Sequence, residues 1–167
     1  MPAYKIFQFD DKKIALIGVT TPETLNSSTP AYFQDNKGNF IYSFNEDATG
    51  KKLYTNIQNT VDTVQKLGVD YVFLVAHLGI NGITPRWSSL AVAQNTQGID
   101  AIIDGHSHEV IASFIAKNKQ GKNVLITQTG TKLQNIGKLT ITPQGEISTE
   151  LINDLTKIQS KNYRLNQ

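Results

Sequence analysis

The residues of this sequence best suited to metal chemistry are three histidines in two short segments. His77 follows the apolar run at residues 72–76, and His106 and His108 come soon after the apolar run at residues 101–103. Ligands of open α/β sheets bind at the carboxyl ends of strands, so we expect both segments to meet at one sheet edge. Residues two apart in an extended segment point the same way, so His106 and His108 should face one target.

Imidazole is a common protein ligand of transition metals, and the chain has no cysteine, which excludes a thiolate site. A lone histidine is more often a packed or surface residue than a ligand. Three histidines that all follow two apolar strands favour the metal interpretation, because ligands often come from rigid strand ends. The sequence therefore predicts a metal site formed by His77, His106 and His108.

Four other residues have weaker functional signals. Asp104 could add a metal ligand, although an aspartate before glycine more often caps a turn. Arg86 and Trp87 could contact a substrate, although a tryptophan at the start of a helix more often packs. Glu23, in Thr-Pro-Glu-Thr, is interpreted as closing a turn rather than as an acid–base group.

The middle of the chain alternates between strand and helix patterns. A helix is predicted over residues 50–67, because apolar residues recur at helical spacing and Gly68 follows as a cap. The apolar positions on this helical face are Leu53, Ile57, Val61, Val64 and Leu67. A strand buried on both faces is predicted at 69–76, a second helix at 86–97 and another strand at 99–103. This order is typical of an α/β layer.

Both ends of the chain favour antiparallel strands. Residues 4–9 and 13–19 are predicted to be strands joined as a hairpin or by another tight connection, followed by a long surface loop over 20–47. Short strands are predicted at 124–128, 137–142 and 146–152, the last two joined by the turn Pro-Gln-Gly. We assign residues 1–153 to one domain and residues 154–167, which are polar, to a linker or tail.

The composition argues against two classes of partner. The formal net charge is only +2 and the lysines are scattered, which argues against a nucleic-acid-binding protein. No apolar run approaches the roughly 18 residues of a membrane helix, and the N-terminus has no signal-peptide pattern.

Five stretches carry a resemblance to a known family. Residues 100–108 (Asp-Ala-Ile-Ile-Asp-Gly-His-Ser-His) resemble the Gly-His-x-His motif of calcineurin-like metallophosphoesterases, and residues 75–79 (Val-Ala-His-Leu-Gly) resemble its preceding single-histidine motif. Residues 17–24 (Ile-Gly-Val-Thr-Thr-Pro-Glu-Thr), 128–130 (Gln-Thr-Gly) and 136–139 (Ile-Gly-Lys-Leu) are similar to the bacterial 5′-nucleotidase and 2′,3′-cyclic-nucleotide phosphodiesterase branch. The motifs occur in order over about residues 4–150, which makes the resemblance specific.

The resemblance implies the second half of an αββα sandwich. The expected fold is a mixed sheet with helices on one face and antiparallel strands at the C-terminal end. The opposite face is expected to be exposed, because it would pack on another sheet in the family, and to allow self-association. By position, the resemblance also implies that His77 and His106 bind one metal and that His108 binds the other. The whole protein would hold two divalent ions such as Zn²⁺ or Mn²⁺, and at most weak, partial binding is expected in this chain.

The family has earlier motifs, Asp-x-His, Gly-Asp and Gly-Asn-His, that this sequence lacks ahead of its first histidine, His77. We therefore expect a fragment of a secreted, periplasmic or cell-wall hydrolase of nucleotide catabolism that is inactive alone. The alternative is a non-enzymatic metal-binding or interaction half-domain. Related motifs also serve cyclic phosphodiesterases and sulfur-compound hydrolases, so the substrate stays open within the family.

Overall fold

A computed structural model describes residues 3–153, which form one six-stranded sheet and a separate two-stranded hairpin. The predicted tail at 154–167 lies outside the described residues. The strands, in chain order, are β1 (Tyr4–Phe9), β2 (Lys12–Thr20), β3 (Tyr71–His77), β4 (Ala101–Asp104), β5 (Val110–Lys117), β6 (Asn123–Thr129), β7 (Ile136–Ile141) and β8 (Ile147–Ile152). The helices are α1 (Thr24–Ser27), α2 (Lys51–Lys66) and α3 (Ser89–Asn95), with 3-10 turns at Pro30–Phe33 and Pro85–Trp87.

The six-stranded sheet is mixed, with the order β1-β2-β3-β4-β6-β5. Strands β2, β3, β4 and β6 are parallel neighbours, and β1 and β5 pair antiparallel at the two edges. The register places Thr20 beside His77, so β2 and β3 end at the same level. The predicted mixed α/β sheet is confirmed, and the carboxyl ends of its parallel strands form one edge.

Helix α2 buries the apolar face that its spacing predicts. Leu53, Ile57, Val61 and Val64 are each at most 4% exposed and pack on the sheet. Leu67 was expected on this face but is 50% exposed, because it follows the last helical turn and no longer has helical backbone angles. No helix within residues 3–153 is long and apolar enough to cross a membrane.

The second predicted helix, 86–97, is shorter than expected and has two parts. A 3-10 turn at Pro85–Trp87 precedes α3, and Ser88 between them has an extended conformation. The Ser88 hydroxyl accepts a hydrogen bond from the Ala91 amide, so Ser88 is the N-cap of α3. The helix therefore begins after residue 88, because a serine cap at this point outweighs the continuing helical pattern.

The two faces of the sheet are covered by different elements. The larger core packs the helices against one face, around Ile17, Leu74, Ile102 and Ile126. On the other face, Phe73, Ala101 and Leu125 pack against apolar residues of the β7–β8 hairpin. The expectation that this face is exposed was therefore wrong for the part that lies under the hairpin.

Only part of that second face is open to solvent. Val75 and Ile103 remain 46% and 36% exposed near the carboxyl ends of β3 and β4. The strand predicted at 69–76 is therefore buried on both faces only over its middle residues. Self-association through the open part of this face stays a prediction.

Strand β5 was not predicted. Most of its side chains are exposed, including Val110 and Ile115, so it lacks the alternation of a half-buried strand. Its pairing with β6 is interrupted between Ile111 and Phe114. An irregular edge strand of this kind has little periodic signal, and neighbouring β6 determines its place.

We expect Asp100→Asn to stabilise the chain at pH 7 by about 0.5 kcal/mol, the scale of a substitution at a partly exposed position. Burial raises the pKa of the Asp100 carboxyl, although a hydrogen bond from the Val72 amide and the charge of Lys122 oppose this. A folded-state pKa above the unfolded value means that stability falls as pH rises through the folded-state pKa. Asparagine is neutral throughout and can still accept from Val72.

Urea unfolding at pH 7 and at pH 3 tests this. The stability gained by Asp100→Asn should disappear at pH 3, where Asp100 of the wild type is protonated in both the folded and the unfolded chain. A gain of equal size at both pH values would show that ionisation of Asp100 is not its cause.

Candidate metal site

His77 and His106 come together at the carboxyl edge of the parallel strands. His77 is the last residue of β3, and His106 lies two residues after β4. The His106 Nδ1 and His77 Nε2 atoms are 3.2 Å apart, and the ring centroids are separated by 4.8 Å at an interplanar angle of 63°. The predicted meeting of the two segments at one sheet edge therefore occurs for these two histidines.

The segment that contains His106 and His108 is not extended. His106 has φ +82° and His108 has φ +57°, the left-handed region that few residues other than glycine adopt. The expectation that two residues of an extended segment point the same way does not apply to such a backbone. His106 is half-buried against His77, whereas His108 is exposed. Two left-handed non-glycine residues on either side of Ser107 are strained positions of the kind that cluster at functional sites.

The buried carboxylate of Glu23, between β2 and α1, is the second partner of His106. Its Oε2 lies 2.7 Å from His106 Nε2, and its Oε1 accepts a hydrogen bond of 2.6 Å from the Thr84 amide. The sequence interpretation of Glu23 as a turn residue missed this contact. The sequence does contain a signal for this contact, since Glu23 is a carboxylate that follows β2 at the same sheet edge as the histidines. Its partner His106, however, is 83 residues further along the chain.

The electrostatics of this trio favour an ionised carboxylate and a neutral His77. Burial by itself raises the pKa of the Glu23 carboxyl, but hydrogen bonds from His106 and Thr84 outweigh burial and hold this pKa below its ordinary value. Burial lowers the pKa of the His77 ring, and the nearby His106 lowers it further, while Asp104 acts in the opposite direction. A neutral ring is the form that binds metals.

Asp104 supports the loop that follows His77. It is buried, and its Oδ1 accepts hydrogen bonds from the amides of Leu78 and Gly79 at 3.0 and 3.2 Å. Its Oδ2 is buried with no hydrogen-bond partner. The capping interpretation of Asp104 thus describes its contacts, although it caps the loop after β3 rather than its own turn.

The two histidine loops also touch directly. Gly79 has φ +75°, and a Cβ at this position would lie 3.1 Å from the Ser107 Cβ. Only glycine lets the backbone of the first loop approach the second so closely. The spacing of His77 and His106 therefore depends on contacts between their loops as well as on the pairing of β3 with β4.

Arg86 and Trp87 pack on each other. The Arg86 guanidinium carbon is 4.7 Å from the centre of the Trp87 ring, and the Arg86 Nε donates to the Asp47 carbonyl. Trp87 packs against the main core. Their contacts favour the packing role over substrate binding.

The histidine pair meets one geometric requirement of a metal site. Two nitrogens that bind one tetrahedral zinc ion at 2.0–2.1 Å are about 3.3 Å apart, close to the spacing of His106 Nδ1 and His77 Nε2. Within residues 3–153, however, no group of three histidine, aspartate or glutamate side chains is arranged to hold a metal ion. The described residues thus fit two ligands of a site, and the ligand role of His108 stays a prediction.

Comparisons with known proteins point to nucleotidases. No protein-family model matches the sequence. The chain is 26% identical over 153 residues, 90% of its length, to the trifunctional nucleotide phosphoesterase protein YfkN of Bacillus subtilis. It is 30% identical over 106 residues, 63% of its length, to the NAD 5′-nucleotidase of Haemophilus influenzae. It spans only 9% and 14% of these two proteins.

The fold is shared with a solved nucleotidase structure. The crystal structure of a 5′-nucleotidase precursor from Thermus thermophilus superposes with a TM-score of 0.67 and 23% identity. The superposition covers 90% of this chain and 29% of that protein. In sequence the chain is therefore similar to these nucleotide phosphoesterases, and its fold is that of part of a 5′-nucleotidase.

Proposed function

We propose that this chain is part of a dinuclear-metal phosphoester hydrolase that acts on nucleotides. In this proposal His77 and His106 bind one divalent cation, such as Zn²⁺ or Mn²⁺, and His108 binds the second. The observation that carries it is the 3.2 Å approach of the His106 and His77 ring nitrogens at the carboxyl edge of the parallel strands. The names of the two curated relatives support a nucleotide substrate.

Two divalent cations, when bound, clamp a phosphate ester and lower the pKa of a water so that hydroxide is available near neutral pH. Phosphoryl transfer leaves little covalent work for side chains, so neither histidine has to be a nucleophile. The task of His77 and His106 is to present unprotonated nitrogens, and the lowered pKa of His77 suits this task. The loops around them hold the two rings at a fixed separation.

The pair alone is an incomplete site for two cations. Cations held close together repel each other unless anionic ligands compensate. Residues 3–153 hold no group of three histidine, aspartate or glutamate side chains arranged around a metal ion. We propose that the remaining ligands come from residues outside this sequence and that this chain is inactive by itself. The family resemblance adds an extracellular, cell-wall or periplasmic location for the whole protein.

The second candidate is a non-enzymatic domain that binds one metal ion or a protein partner. It is favoured by the same incomplete ligand set and by the exposure of Val75 and Ile103 on the open part of the second sheet face. The two candidates differ in whether metal binding leads to turnover once the other ligands of the family are supplied.

The chain alone is expected to hydrolyse 5′-AMP, 2′,3′-cyclic AMP and bis-p-nitrophenyl phosphate no faster than background in Mn²⁺ or Zn²⁺. The reason is that residues 3–153 hold no group of three histidine, aspartate or glutamate side chains arranged around a metal ion. Phosphate release, measured beside His77→Ala as the matched control, checks this. A metal-dependent rate that is lost in His77→Ala would overturn the proposed inactivity.

A fusion protein distinguishes the enzymatic from the non-enzymatic candidate. When this sequence is fused behind a family segment that carries Asp-x-His, Gly-Asp and Gly-Asn-His, we expect metal-dependent nucleotide hydrolysis. The same fusion with His106→Ala should be inactive. A folded fusion that binds metal through these motifs but does not hydrolyse any nucleotide would favour the non-enzymatic candidate.

A further inference from the structure

Glu23 holds three segments of the chain together beside the candidate metal site. Its amide donates to the Thr21 hydroxyl at 3.2 Å, which fixes the backbone just after β2. Its Oε1 accepts from the Thr84 amide in the loop after β3, and its Oε2 contacts His106 in the loop after β4. Because both oxygens are engaged, the carboxylate cannot turn away from His106 without losing the Thr84 contact as well.

This contact determines which His106 nitrogen carries a proton. An ionised carboxylate can only accept hydrogen bonds, so the Nε2 atom 2.7 Å from the Glu23 Oε2 must carry the hydrogen. In a neutral ring the other nitrogen, Nδ1, then has a free lone pair. That nitrogen is the one that lies 3.2 Å from His77 Nε2.

We propose that Glu23 is a positioning residue that fixes the tautomer and the orientation of His106, so that the Nδ1 lone pair faces His77 and a shared cation. The part about the cation rests on the proposed function, whereas the part about the tautomer does not. Histidine ligands of metals usually donate their second ring hydrogen to a carboxylate or a carbonyl, and loss of that partner costs about 10–100-fold in metal affinity.

The proposal also describes His77 before a metal binds. With the His106 proton on Nε2, the 3.2 Å contact becomes a hydrogen bond only if His77 Nε2 donates to His106 Nδ1. A cation between the rings would need that same His77 nitrogen without its hydrogen. Metal binding should therefore move the His77 proton to Nδ1, while the His106 proton stays on Nε2 and its bond to Glu23 is kept.

The test measures the ¹⁵N shifts of the histidine ring nitrogens in the metal-free chain, together with Zn²⁺ affinity by calorimetry. These shifts distinguish the two neutral tautomers from the protonated ring. Wild-type His106 should carry its proton on Nε2. Glu23→Ala should give a mixture of tautomers and about 10–100-fold weaker Zn²⁺ binding.

Glu23→Gln gives the sharpest readout. Glutamine has one oxygen for two donors, and the Thr84 amide is expected to keep it, which turns the glutamine NH₂ toward His106. This arrangement favours the opposite tautomer, with the His106 proton on Nδ1, and should weaken Zn²⁺ binding at least as much as Glu23→Ala. A residue with a merely structural role would not reverse a tautomer. Glu150→Gln, an exposed carboxylate on β8, is the matched control and should change neither measurement.

The outcomes separate this proposal from the proposed function. A wild-type proton on His106 Nδ1 would overturn the positioning role without any variant, so a variant that fails to fold does not prevent the test. An unchanged tautomer in folded Glu23→Gln, or an unchanged Zn²⁺ affinity in both variants, would also overturn it. If the tautomers respond as expected but the wild type binds no Zn²⁺, Glu23 does fix the tautomer of His106 and the proposed metal function is wrong.

Discussion

Replacing His77 or His106 by alanine should weaken Zn²⁺ binding by this chain at least about 100-fold, because loss of a ligand costs more than the 10–100-fold typical of a ligand's hydrogen-bond partner. The two rings present nitrogens 3.2 Å apart, and each supplies one of the two ligands that the described structure brings together. His108 is exposed and lies outside this contact. His108→Ala should therefore weaken the first Zn²⁺ equivalent much less, by less than about tenfold.

Calorimetric titration of the three single variants at one pH checks this order of effects. His108→Ala is also the matched control, because it removes an imidazole from the same loop as His106 without disturbing the close pair. Equal affinity in wild type and His77→Ala would contradict the assignment of the pair as ligands. An equal loss in all three variants would instead mean that the three rings share one ion.

Asp104→Ala should reduce the free energy of unfolding by about 2–4 kcal/mol, since a buried donor left unpaired costs about 1–3 kcal/mol. The Asp104 Oδ1 is the acceptor for the Leu78 and Gly79 amides, both of which belong to buried residues. Alanine leaves both amides unpaired and releases the loop that follows His77. A loss of this size is a large part of the total stability of a typical domain, about 5–15 kcal/mol.

Urea unfolding of Asp104→Ala and Asp104→Asn measures the effect. Asparagine keeps an oxygen for the two amides but puts its NH₂ group in place of the buried Oδ2, which has no partner, so it should cost about 1–2 kcal/mol, less than alanine. Zn²⁺ affinity should fall in the alanine variant, because His77 adjoins the released loop. Similar stabilities of the two variants would show that the amide contacts do not account for the burial of Asp104.

Local patterns were sufficient to predict much of the fold. The 3.6-residue spacing of Leu53, Ile57 and Val61 predicts α2, and the apolar runs before His77 and His106 predict β3 and β4. Once both runs are strands of a parallel sheet, their carboxyl ends must share an edge. The proximity of His77 and His106 therefore follows from sequence periodicity and a general rule of sheet topology.

Other features depend on contacts that local patterns do not encode. The exposed edge strand β5 has no periodic hydrophobic pattern. The β7–β8 hairpin covers the second sheet face through Leu139, Ile141 and Ile147, but the hairpin sequence alone does not indicate where the hairpin packs. The backbone of His106 and His108 turns left-handed against the usual preference of these residues. Tertiary packing outweighs local preference at these positions.

The sequence by itself thus determined the order of most elements and the placement of two histidines at one sheet edge, because both depend on periodicity and strand direction. Only the tertiary structure decided that Glu23 contacts His106 and that Asp104 holds the loop after His77. These contacts join residues 83 and 26 positions apart. The local sequence around a carboxylate specifies a turn or a cap equally well, and only the folded chain determines which donors its oxygens meet.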